Sequence, residues 1–126
     1  MSRYLIYVDN PAEGWRLDRT DLMRKVTQEW PGASIVNPET PGNTEMRDLG
    51  WRIAQGELAI ECWSAKSGRG IEVDGDDRLA MVIAAWYRTV VPEAITVHFS
   101  DDMYAAHTEI PPGASAGDVQ RLYDEA

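Results

Sequence analysis

The sequence predicts a single α+β domain over residues 1–126: an antiparallel or mixed sheet with helices on one face. Three observations lead there. Segments with a period of two cluster in the middle of the chain, over residues 49–63, and helical stripes lie on either side, over 18–30 and 76–90. A chain of 126 residues, 44% hydrophobic and 26% charged, can bury one core without disulfides. No internal repeat or linker divides it.

The elements are expected in the order β-α-β-β-β-β-α-β-α. Residues 4–8, YLIYV, are apolar on both faces and read as a strand inside the sheet. NPAEG breaks the chain. Leu22, Met23, Val26 and Trp30 then fall at helical spacing, with Asp18 or Thr20 as cap and Pro31-Gly32 as stop. Residues 33–36 form a short strand. NPETPGNTE, residues 37–45, has no periodicity and is read as a loop.

Leu49, Trp51 and Ile53 alternate with smaller or charged residues, as do Leu58, Ile60 and Cys62, so both segments read as half-buried antiparallel strands. KSGRG turns the chain into a strand over 70–73. Leu79, Val82, Ile83, Trp86 and Val90 make the apolar stripe of a long helix, Ala80, Ala84 and Ala85 widen it and allow close approach to a sheet, and Pro92 ends it. Ile95, Val97 and Phe99 alternate into a further strand. After IPPG, Ser115 and Asp118 have the spacing of a capping box and open the last helix.

Charge excludes some partners and favours one. A formal charge of −9 repels phosphate backbones and anionic lipid, so nucleic acid and membrane are not expected partners. A basic protein surface is attracted instead. The one cysteine, Cys62, permits no internal disulfide or thiolate cluster, and its parity with Ile60 places it in the core. The apolar run at 4–8 is too short for a signal-peptide core, and no transmembrane span appears. These features suit a cytoplasmic protein.

No nucleophile elbow, phosphate-binding loop, dinucleotide fingerprint or zinc-protease motif is present. Around Gly75, Asp74, Asp76 and Asp77 imitate the start of a calcium loop. The twelfth position is Ala85, however, where that loop needs a bidentate Glu. The acids serve equally well as the N-terminus of the long helix, where they meet orphan N–H groups and the positive end of the dipole. The other chemistry-bearing stretch, HFSDDMYAAH, holds His98, Asp101, Asp102 and His107, residue types suited to acid–base work but in no known ligand spacing. Neither a cofactor nor a metal is implied. Among five tryptophans, Trp30, Trp51 and Trp86 lie on apolar stripes; Trp63 lies opposite Ile60 and Cys62, near Arg52 and Glu61 if the strands pair, and is a candidate anchor.

VDGDDRLAMVIAAWYRTVVP followed by VHFSDDMY resembles the pattern of small acidic bacterial immunity-type proteins of toxin systems, over about the last half of the chain. That resemblance implies a non-catalytic inhibitor that lays carboxylates and an aromatic anchor on a toxin's basic surface. The candidate partner-binding residues are Glu72, Asp74, Asp76, Asp77, Asp101 and Asp102, with Trp63 as anchor. Two alternatives stand beside it: an interaction or assembly subunit, such as a homodimer through an exposed strand, and a small enzyme using His98, Asp101, Asp102 and His107.

Overall fold

A computed structural model describes residues 2–9, 14–36 and 47–126. The elements are β1 (Ser2–Val8), α1 (Arg19–Glu29), β2 (Ser34–Val36), β3 (Arg47–Gln55), β4 (Leu58–Ala65), β5 (Gly70–Gly75), α2 (Asp77–Val90), β6 (Val97–Asp101), β7 (His107–Ile110) and α3 (Ala116–Asp124). This is the expected α+β order with one further strand, β7, before the last helix. The loop expected over 37–45 and most of NPAEG lie outside the described residues.

All seven strands join one antiparallel sheet in the order β2-β3-β4-β5-β1-β6-β7. The first strand sits inside it, between β5 and β6, with Ile6 opposite both Ile71 and Phe99. On one face Tyr4, Ile6, Val8, Trp51, Ile53, Cys62, Val73, Val97 and Phe99 are buried. That face receives the helices: α2 against β1, β4, β5 and β7, α3 against β7 and α2, and α1 against β3. Burial of each large side chain contributes about 1.5–3 kcal/mol, so this two-layer core carries most of the stability. Among the described residues, no helix covers the opposite face.

The buried face of α2 is rotated from the expected stripe. Leu79, Ala80, Met81, Ile83, Ala84, Tyr87 and Arg88 are buried, whereas Val82 is 38% exposed and Trp86 is partly buried, its ring 4.9 Å from that of Trp30. The helix meets both the sheet and α3. Small Ala80 and Ala84 permit that close approach, and hydrophobicity alone ranks Val82 above them. On α1 Met23 is likewise exposed, leaving Leu22, Val26 and Trp30 inward.

The seventh strand carries little apolar signal because it is an edge: His107 and Glu109 face outward and only Ile110 is buried. Both edge strands, β2 and β7, are short, which limits pairing with a second copy through the sheet. No helix among the described residues is long and apolar enough to cross a membrane.

Candidate functional site

Antiparallel register makes neighbours of two acidic stretches that are far apart in sequence. Ser2 pairs with Gly75, and Tyr4 pairs with Asp101, so the end of β5 and the end of β6 both lie beside the start of β1. Between them is a depression of about 550 Å³ lined by Ser2, Arg3, Tyr4, Asp74, Asp101, Asp102 and Tyr123. The Tyr4 hydroxyl, at its wall, donates to Asp77 Oδ1 at 3.0 Å. Burial, opposed by Ser2 and reinforced by Asp77, pushes this phenol up to about 12, so it remains a donor at any ordinary pH.

The six acids differ in how far the chain itself already engages them. Asp76 is the N-cap of α2 and accepts from the N–H groups of Arg78 (2.9 Å) and Leu79 (3.1 Å). Asp74 pairs with Arg3 at 3.3 Å, and Glu72 pairs with Arg47 and, at 3.9 Å, with Arg3. Its bond to Asp74, then the field of Glu72, raises the Arg3 guanidinium above its usual range. Asp101 Oδ1 accepts from Ala105 N at 2.8 Å and closes the β6–β7 turn. Asp102 is exposed at the rim. The knot of acids at 72–77 is therefore a helix cap and a set of internal ion pairs as well as part of a larger acidic end.

The cap has a measurable signature. Partial desolvation pushes the Asp76 carboxyl up, but the N–H groups of Leu79 and Arg78 and the Arg78 guanidinium outweigh it and hold the group below the usual aspartate range. A depressed folded-state value means its contribution is fully present above the unfolded aspartate value of about 3.9 and is lost as pH falls through the lower folded value. Asp76→Asn, which caps without titrating, should flatten that part of the acid limb in urea titrations run across pH. An unchanged limb would remove Asp76 from the acid sensitivity of the fold.

On the uncovered face, Trp63 stands opposite Gly50 of β3 and Glu72 of β5. Its ring lies flat over Gly50, where an added Cβ would come within 2.5 Å of it. Arg47 sits 5.0 Å above the ring centroid while paired with Glu72. The expected neighbours, Arg52 and Glu61, face each other two residues further along the β3–β4 pair. Trp63 is thus half-buried, packed on glycine beneath an arginine, with no second layer over it among the described residues. Beside it a cleft of about 410 Å³ is lined by Leu5, Tyr7, Arg47, Trp63, Ala65 and Tyr104, among others. Tyr104 is 61% exposed and has φ +55°, a left-handed backbone uncommon outside glycine.

Sequence reasoning missed Arg3, Tyr7, Arg47 and Tyr104. Because 4–8 is apolar throughout, alternation could not show that Leu5 and Tyr7 leave the core face.

HFSDDMYAAH is divided by the fold. His98 and His107 project from β6 and β7 on the uncovered face, with His98 Nδ1 2.8 Å from His107 Nε2. Asp101 has the parity of Phe99, on the helix side, and belongs with Asp102 to the acidic depression. The four residues therefore do not meet at one point. Cys62 is buried, and burial, with a smaller push from Glu61, drives its thiol well above the ordinary range, so it is inert packing. No group of three or more His, Cys, Asp or Glu side chains among the described residues could hold a metal ion. No family model matches the chain, nor does any curated protein or solved structure.

Proposed function

We propose that the chain is a non-catalytic binding protein of the cytosol, an immunity-type inhibitor that engages a basic protein partner, such as a toxin domain, through its acidic end. The observation that carries this reading is the register that gathers Asp74, Asp101 and Asp102 around one depression, with Asp77 hydrogen-bonded to Tyr4 of its lining. The net charge of −9 supplies the long-range attraction. Local carboxylates supply register against basic side chains, and desolvated charge pairs of this kind set dissociation more than encounter.

Glu72 and Asp76 support this surface rather than forming its free charge, since Arg47 and the α2 cap already engage them, and Asp74 shares its charge with Arg3. Trp63 forms one wall of the neighbouring cleft, where a partner's apolar side chain finds Leu5, Tyr7 and Tyr104 as well.

The test is affinity capture with the tagged full chain from source cells and from cells co-expressing the products of neighbouring genes, at low and high salt. The expected result is one basic protein, retained at low salt and released by salt or by Asp74→Asn/Asp77→Asn/Asp102→Asn. Those substitutions leave the Asp76 cap intact. Recovery of no partner, or of a partner indifferent to both salt and the triple variant, would reject the acidic-interface reading.

A further inference from the structure

We infer that His98 and His107 form a two-histidine site for a divalent transition-metal ion, His98 ligating through Nδ1 and His107 through Nε2. The site is independent of the protein-binding reading and lies on the uncovered face rather than in the acidic depression.

The geometry begins with cross-strand register. Ser100 pairs with His107, and His98 pairs with Glu109, so the two imidazoles share one face of the β6–β7 hairpin and reach toward each other diagonally. Their nitrogens approach to 2.8 Å, with ring centroids 5.0 Å apart. Imidazole nitrogen binds these metals at about 2.0–2.1 Å, so two such ligands at right angles stand about 2.9 Å apart and two at tetrahedral angles about 3.4 Å. The observed separation is close to that of the right-angled arrangement; the nitrogens face each other head-on, so each ring turns by about 45° to converge its lone pair on an ion. That arrangement is the tetragonal preference of Cu²⁺ and Ni²⁺.

The surroundings prepare one nitrogen of the pair. Asp9 Oδ1 lies 2.9 Å from His98 Nε2, outside hydrogen-bond angles, and its negative field favours the proton on that nitrogen. Nδ1 is then left with its lone pair. Tyr7 fixes the ring plane from below, stacked at 5.1 Å and 21°. His107 is exposed and gives access from solvent. Glu109 and Asp9 are the acids nearest in register and space, and both favour a cation there.

Without metal, Nδ1 and Nε2 are hydrogen-bonded to each other. A bound ion replaces that contact, and a neutral His107 then carries its proton on Nδ1 instead of Nε2, so the neutral pair releases no net proton. With two protein ligands, water fills the remaining positions, so the affinity falls below that of four-ligand structural sites.

Separate calorimetric titrations of the full chain with Cu²⁺, Ni²⁺ and Zn²⁺ at neutral pH test this. The expected result is one ion per chain, with Cu²⁺ tightest. His98→Gln and His107→Gln should each reduce binding to the level of the double variant, and Asp9→Asn should weaken it about tenfold or more. Metal should raise the thermal midpoint of the parent and of neither histidine variant, a readout that also confirms that the variants fold. Absence of binding, equal binding by the double variant, or loss with only one of the two histidines would overturn the site.

Discussion

Arg88→Met should lower the unfolding free energy by about 3–5 kcal/mol, the scale of stripping the partner from buried polar groups. Arg88 is 2% exposed on the inner face of α2, and its hydrogen-bond partners are backbone carbonyls. Nη1 donates to Ile95 O at 2.8 Å and Ile110 O at 3.4 Å; Nη2 donates to Pro92 O at 2.6 Å and Val91 O at 3.2 Å. One planar fork thereby ties the end of α2, the loop into β6 and the end of β7 into a single corner. Burial lowers the guanidinium from its ordinary range, with Glu93 acting in the opposite direction.

Methionine keeps the stem and its packing, so the loss isolates the carbonyls that lose the guanidinium; of these, Pro92 O keeps a second donor, Ile95 N at 3.0 Å. Arg88→Lys keeps the charge but not the fork and should fall between the two. Urea denaturation of the three proteins is the measurement. A loss below about 1 kcal/mol for methionine would mean that water satisfies those carbonyls instead.

Gly75→Ala should cost about as much, by a different route. Gly75 has φ +152°, a region essentially restricted to glycine. An added Cβ would stand 2.5 Å from Ala59 O and 2.8 Å from Ile60 Cα, both backbone atoms of the paired strand β4. Neither can retreat freely, because Ala59 O also accepts from Asp76 N at 3.0 Å. Relief would open the β4–β5 pair or shift the Asp76 cap, at a cost of about 3 kcal/mol or more from strain and overpacking together. Thermal and urea unfolding would read this directly. A near-neutral Gly75→Ala would show that the turn from β5 into α2 can be remade elsewhere.

The contrast between these two residues shows what was legible. Gly75 announced itself: a glycine between a strand and a run of capping acids marks a forced turn, and the cap at Asp76 and the capping box at Ser115 and Asp118 follow from the same local chemistry. Arg88 carried no such mark, because its partners come from residues 91–110 and are backbone atoms, which leave no side-chain signature. Hydrophobic patterning placed Ala80 and Ala84 inward, where they are, but placed Val82 inward with them, where it is exposed. The candidate site divides along the same line. The acids themselves were evident, but their partners Arg3 and Arg47 were not, since both pairings cross between strands.

By itself the sequence determined the period of most elements, the caps, the core role of Cys62 and the acidic character, all of which arise within a few residues or from composition. Tertiary structure decided the rest. It set which side of YLIYV faces the helices, how far α2 rolls against α3, and that Trp63 packs on Gly50. It also placed the acids of 74–77 beside those of 101–102 and sent His98 and His107 to the opposite face from Asp101. Each of these depends on strand register and order. A shift of one residue exchanges the two faces of a strand, and local preference is nearly indifferent to that shift until a distant strand and helix pack against it.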